Sequence, residues 1–358
     1  MKNKKIFIFI LIIIFLIFLF LIELISKKFI LARYQNKHSL KSIEVYKKNY
    51  NKVNHLRNPF EFSYDELIFT SINKEKNKSS ILFQGDSWSE QFVSFKNSKK
   101  LITDFASKNN INFYLAGTSS YSPSIYQAQL SLLEENFGID PEIIVVGIDQ
   151  TDIGDELCRY KKKRKYVNNE LIVEPYKIAS EGYLYNMDNT FKRIEYLNSD
   201  KLSIVKLFLV LGLKFQEYYK IYKHGHVCDI FDITNPLFGK ITEDEKNYFS
   251  LVVSEYIQKV FSLKNISNLI IVTHPHREHV LNKYKIDVGI IIKDIVIKNK
   301  NKHKIILLDF NNDLNTFLEN NNITTVFPVN DPMHISEIYH EKIYTKKILE
   351  VIKKIFNT

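Results

Sequence analysis

The stretch Ser80-Ile81-Leu82-Phe83-Gln84-Gly85-Asp86-Ser87-Trp88-Ser89-Glu90 decides how the rest of the chain is read. A short apolar run bounded by turn residues suits a strand covered on both faces. The Gly85-Asp86 turn then leaves Ser87 at the strand's carboxyl end, the edge where open α/β sheets bind ligands. A serine hydroxyl alone is a poor nucleophile, so the reading requires a base, a carboxylate to orient it and donors for an oxyanion.

Working outward, the chain alternates in an α/β manner. Strands are expected at 111–115, 142–148, 268–273 and 304–310, separated by helical segments. That order predicts a parallel sheet covered on both faces. The second strand runs into Ala116-Gly117-Thr118-Ser119-Ser120-Tyr121, small residues that permit close backbone approach. A helix capped by Ser122 comes next, with Pro123 at its first position. The third strand ends in Asp149-Gln150-Thr151-Asp152-Ile153-Gly154.

An insertion of about a hundred residues, over about 156–266, separates the third and fourth strands and is far longer than an ordinary connection. Within it, Leu202 to Phe215 is expected to be a helix packed on the core, because the run is short for a membrane span and carries Lys206 and Lys214. The basic run Lys161-Lys162-Lys163-Arg164-Lys165 reads as a solvated loop.

Toward the carboxyl end, Asn330-Asp331-Pro332-Met333-His334-Ile335 enters a helix in which Tyr344, Ile348, Val351, Ile352 and Ile355 recur at helical spacing. An aspartate three residues before a histidine can bring its carboxylate back to imidazole Nδ1. The other ring nitrogen then faces the serine as general base.

On these residues the chain resembles the SGNH/GDSL hydrolase family, over about 80–356 and excluding much of the insertion. The resemblance implies a flavodoxin-like three-layer α/β/α fold with a parallel sheet, and ester-bond chemistry without cofactor or metal. It also implies Ser87 as nucleophile, His334 as base and Asp331 as its partner. Trp88 stands where the family often has Leu. The oxyanion positions depart further: the second-block glycine aligns with Ser120, three residues after Gly117, and the third-block asparagine with Thr151, beside Gln150.

Ahead of this domain, residues 6–25 are apolar except Glu23, long enough for a bilayer-crossing helix of ~20 residues. Lys2, Lys4 and Lys5 precede it, so residues 1–26 read as a cytoplasmic tip and uncleaved single-pass anchor. Residues 27–75 read as a stem and 76–358 as an extracytoplasmic catalytic domain. Such an enzyme resembles those that remove or transfer acetyl groups on cell-envelope polysaccharide, with an acylated glycan and envelope-assembly proteins as partners. A non-catalytic glycan-binding scaffold and a membrane-lipid esterase are the alternatives.

Composition narrows these classes. The chain has 358 residues, 45% of them apolar, enough for a packed core and too many for disorder. Its net charge of +10 comes mostly from lysines scattered along the chain, which is no nucleic-acid footprint. Cys158 and Cys228 make no disulfide framework. His274 and His276, in Thr273-His274-Pro275-His276, come after the fourth strand and read as plain loop residues or as substrate contacts, ahead of zinc ligands.

Overall fold

The computed structural model describes residues 2–27, 66, 68–73, 75, 78–168, 170–173, 202–203, 205–206, 208, 211–212, 242–281, 287–299, 304–329 and 334–357. Two compact units are present: Met1–Lys48 with Asn58–Leu67 and Lys177–Val227, and Asn49–Arg57 with Ile68–Tyr176 and Cys228–Thr358.

The second unit is a mixed α/β fold around a mostly parallel sheet. Its strands are β1 (Thr70–Ile72), β2 (Ser80–Gln84), β3 (Asn112–Leu115), β4 (Ile143–Gly147), β7 (Asn268–Thr273) and β8 (Ile305–Asp309), in the spatial order β1-β3-β2-β4-β7-β8. The five long strands are mutually parallel, while β1 adds an antiparallel edge against β3. The sheet therefore begins within the stretch expected to be stem. The order reverses between β2 and β4, and that switch point opens a crevice at the strands' carboxyl ends. β2 and β4 are buried at every position, as continuous apolar runs in a doubly covered sheet should be.

The described α-helices of six or more residues in the sheet unit, numbered after the amino-terminal α1 (Lys2–Ile25), are α2 (Ser87–Ser94), α3 (Lys96–Asn109), α4 (Pro123–Phe137), α5 (Gln150–Asp155), α6 (Glu243–Phe261), α7 (Val288–Asn299), α8 (Asn311–Leu318) and α9 (Lys346–Phe356). The core on one face joins Trp88 and Phe92 of α2 and Ile102 and Ala106 of α3 to Ile348, Leu349 and Ile352 of α9. On α6, the buried residues Phe249, Val252, Val253, Tyr256, Ile257 and Val260 form an apolar stripe. This helix is the β4-to-β7 crossover, although it lies within the stretch read as insertion. The described start of that insertion also holds a hairpin, β5 (Arg164–Val167) with β6 (Glu170–Val173), turned through Asn168 at φ 52°. The end of the basic run thus lies in a strand, with Arg164 paired to Glu255.

Ser122 does occupy the position before α4, with Pro123 opening the helix, but its hydroxyl does not cap it. Instead Ser122 Oγ donates to Glu156 Oε2 at 2.7 Å, and Glu156 also accepts from Ser124 N at 3.1 Å and Ser124 Oγ at 2.6 Å. A buried carboxylate at a helix amino terminus satisfies free amides and gains from the dipole, which a serine cap cannot match.

In the first unit, Ile10, Phe15, Phe18 and Phe20 of α1 are exposed. Among the described residues no helix is long and apolar enough to cross a membrane. Leu202, Val205, Phe208 and Leu211 are exposed as well, and most of the helix expected over 202–215 lies outside the described residues.

Candidate active site

Gly85 is what turns β2 sharply into α2. Its φ of 143° lies outside the range of residues with side chains, and a Cβ there would fall 2.1 Å from Ser89 Oγ. Asp86 then caps the helix, its Oδ1 accepting from Trp88 N at 2.9 Å. Ser87 becomes the first helical residue, half-buried, its amide among those a helix start leaves without an intrahelical acceptor. Ser89 Oγ donates to Gln84 O at 2.8 Å and locks the turn from below.

His334 Nε2 lies 2.8 Å from Ser87 Oγ. The two residues after it tie its loop down: Ile335 is buried in the core, and Ser336 N donates to Val326 O at 2.6 Å. Ser336 Oγ also donates to Thr325 O at 2.5 Å. From α2, Gln91 Nε2 reaches Ile335 O at 3.4 Å. Asp331 lies outside the described residues.

The loop after β3 is clamped onto α2. A Cβ on Gly117 would sit 2.4 Å from the Ser89 backbone carbon, so only glycine lets the two segments touch. Ser119 donates to Glu90 Oε2 through its amide at 2.8 Å and its hydroxyl at 2.5 Å. Ser120 adopts φ 61°, the left-handed region that glycine occupies without strain and other residues at a cost of about 1–2 kcal/mol. Tyr160 OH holds it there by donating to Ser120 O at 2.6 Å. Neither Glu90 nor Tyr160 was signalled by spacing, because both are defined by contacts across the fold.

Thr151 and Gln150 open α5 at the end of β4, but each is committed elsewhere. Thr151 Oγ1 is 2.7 Å from Asp149 Oδ1 and 3.2 Å from Asp86 Oδ2. Both carboxylates accept from the one hydroxyl, and the shorter contact, to Asp149, is the stronger. Gln150 Oε1 accepts from Val288 N at 3.0 Å.

Burial, then repulsion from Asp149, pushes the Asp86 carboxyl well above its ordinary range. Asp152, which accepts from Tyr126 OH at 2.7 Å, is raised by the same two causes. Burial also works to raise Asp149, yet the His276 ring and the two Thr151 donors outweigh it and hold the group at about 2. Burial and mutual repulsion thus push two of the three neighbouring carboxyls up, while hydrogen bonds and the His276 ring hold the third low.

The two candidate substrate histidines lie inside. His276 is buried, 3.2 Å from Asp149 Oδ2, and stacks on Trp88 with ring centroids 5.1 Å apart. His274 is buried with Nδ1 2.7 Å from Pro275 O and Nε2 3.3 Å from Tyr339 OH, and burial depresses it to about 3. Trp88 therefore packs against two imidazoles, and both rings lie beneath the turn that carries Ser87. Among the described residues no group of three or more His, Cys, Asp or Glu is placed to hold a metal ion.

No protein-family profile matches the chain, and no curated protein sequence does. Among solved structures it is similar to a catalytic mutant of an acetylxylan esterase from Geobacillus stearothermophilus, at 12% identity over 77% of this chain and 95% of that one, with a TM-score of 0.40. It is also similar to LAE5, an alpha/beta hydrolase enzyme from the metagenome of Lake Arreo, Spain, at 10% identity over 76% of this chain and 96% of that one, with a TM-score of 0.39. At these identities and scores the likeness says nothing about substrate.

Proposed function

We propose that the chain is a serine-dependent SGNH/GDSL-type esterase or O-acyltransferase acting on an acetylated glycan. The observation that carries this reading is the 2.8 Å contact between Ser87 Oγ and His334 Nε2 at the sheet's switch point. Ser87 Oγ attacks the ester carbonyl carbon while His334 Nε2 takes the hydroxyl proton. The developing oxyanion is held by the Ser87 amide and by backbone of the 117–120 loop, which Glu90 and Tyr160 keep in place. His334 returns the proton to the departing sugar oxygen, leaving an acyl-serine. Water or an acceptor hydroxyl then attacks the acyl carbon, with His334 again the base. Asp331 orients the imidazole.

In this reading α1 is the membrane anchor, its lysine-rich start stays in the cytoplasm, and the catalytic unit works in the cell envelope beside assembly partners. The test is acetate release from a small acetyl ester by wild type and Ser87→Ala, with and without a sugar acceptor. Serine-dependent acetate release that ignores the acceptor identifies a hydrolase. Acetylated sugar formed at the expense of acetate identifies a transferase.

A non-catalytic glycan-binding role is favoured by one feature, the commitment of Thr151 Oγ1 to Asp149 and of Gln150 Oε1 to Val288. Glycan binding with no product from either assay would establish that role instead.

A further inference from the structure

His276 takes no part in the proton transfers at Ser87, yet it is buried beneath the turn that carries that residue, with 1% of its side chain exposed. Pro275 biases His274 toward extended backbone, and residues two apart in an extended chain share a face. Both imidazoles accordingly meet the indole of Trp88. Their polar contacts differ: His274 Nε2 lies 3.3 Å from Tyr339 OH, whereas His276 Nε2 lies 3.2 Å from Asp149 Oδ2.

From Asp149 the contacts continue to Ser87. Asp149 Oδ1 accepts from Thr151 N at 2.6 Å and from Thr151 Oγ1 at 2.7 Å. Asp86 Oδ2 accepts from Thr151 Oγ1 at 3.2 Å and from Ser87 Oγ at 3.4 Å. Asp86 Oδ1 accepts from Trp88 N at 2.9 Å. The contacts thus run from the indole through His276, Asp149, Thr151 and Asp86 back to the backbone of Trp88, and Ser87 is the residue between the last two. They join the carboxyl ends of β7, β4 and β2, neighbours in the sheet. Asp149 Oδ2 makes no hydrogen bond to any other group among the described residues, so without the His276 ring one oxygen of a buried carboxylate would face no donor.

We propose that His276 is a positioning residue for Ser87: it holds Asp149, and Asp149, through Thr151 and Asp86, holds the turn that carries the serine. The inference rests on the reading of Ser87 as nucleophile. A misplacement of about 1 Å costs about 100-fold in rate, and a group that touches no substrate exerts that cost on kcat and leaves KM alone.

The test uses the full chain and p-nitrophenyl acetate, with wild type and Ser87→Ala measured alongside. His276→Gln keeps an N–H donor for Asp149, whereas His276→Phe keeps a ring on Trp88 and removes the donor. His276→Phe combined with Asp149→Asn leaves no bare charge and supplies the measurement where the single Phe variant does not fold. Trp88 is the one tryptophan of the chain, so its shielding from acrylamide shows that each variant retains the fold around the site. The expected result is a kcat about 10- to 100-fold lower in the Phe variants with KM within about twofold, and recovery to within about fivefold of wild type in His276→Gln. A folded Phe variant with kcat within about threefold of wild type overturns this inference alone, as does a Gln variant as impaired as the Phe variant. Wild type no more active than Ser87→Ala overturns the nucleophile reading, and this inference with it.

Discussion

His334 Nε2 and Ser87 Oγ stand 2.8 Å apart although 247 positions separate them in the chain. They approach from opposite directions, Ser87 on the turn that ends β2 and His334 on the loop that precedes the carboxyl-terminal helices. The two groups act as a unit, so removing either should cost nearly as much as removing both. Ser87→Ala and His334→Ala should each lower kcat for acetyl-ester cleavage by on the order of 10³-fold or more, with the double variant no worse. Turnover within tenfold of wild type in Ser87→Ala would sink the nucleophile assignment.

Glu90 touches no substrate in this arrangement and works by holding Ser119. Glu90→Ala should lower kcat by about 10- to 100-fold with KM little changed, since a displaced oxyanion donor costs transition-state binding and not ground-state binding. Glu90→Gln keeps an acceptor oxygen and should recover most of the loss. Equal effects of both substitutions on KM would place Glu90 in substrate binding instead.

Thr151 separates two roles for one hydroxyl. With its proton directed to Asp149, Thr151→Val should destabilise the fold by about 1–3 kcal/mol, and Thr151→Ser should be close to neutral. Urea unfolding measures both. A Val variant of unchanged stability whose acylation slows a hundredfold would show instead that the hydroxyl serves the oxyanion.

The buried acids and imidazoles give stability a pH signature whose sign can be checked. His274 and His340, depressed by burial to about 3, remain neutral in the fold while the unfolded chain protonates them near 6.5. Their contribution is present above 6.5 and is lost as pH falls toward 3. Asp86 and Asp152 are raised, so their contribution is present below the ordinary carboxylate range near 3.8 and is lost as pH rises through their elevated values. The two sets offset each other between about 4 and 6.5, and single substitutions expose them. His340→Asn should gain stability relative to wild type as pH falls from 7 to 4.5, and Asp86→Asn should gain as pH rises from 4 to 8. Thermal melts across that range decide the matter: parallel curves for wild type and Asp86→Asn would mean that Asp86 is not held protonated.

The parallel strands were readable because Ile81 to Phe83, Ile143 to Val146 and Leu269 to Val272 are unbroken apolar runs, and burial on both faces leaves no alternation to confuse them. β1 was not, since three residues carry too little pattern to separate an edge strand from a stem. The hairpin of β5 and β6 hid behind its lysines, because Lys165, Tyr166 and Val167 are all exposed and the strand carries no alternating apolar face. His274 and His276 lie at the functional edge, as their position after β7 suggests, but sequence does not say on which side of a loop a ring will fall. Here Trp88 supplies an aromatic surface and Asp149 a charge, and together they draw both rings inward. Which polar groups hold the 117–120 loop depends on contacts between Glu90 and Ser119 and between Ser120 and Tyr160, and no local spacing announces those pairs.

The interlocking of Gly85, Ser89 and Gly117 has a mechanical consequence. Two missing side chains let the loop lie backbone to backbone against the helix at Gly117 and the turn press on the Ser89 side chain at Gly85, leaving no soft layer to absorb a displacement. Ser87 and the loop therefore shift together or not at all, whereas the His334 imidazole is delivered by a different stretch of chain. Damage to the carboxyl-terminal helices should accordingly impair proton movement while sparing the geometry that greets the carbonyl oxygen, and damage at the two glycines should do the reverse.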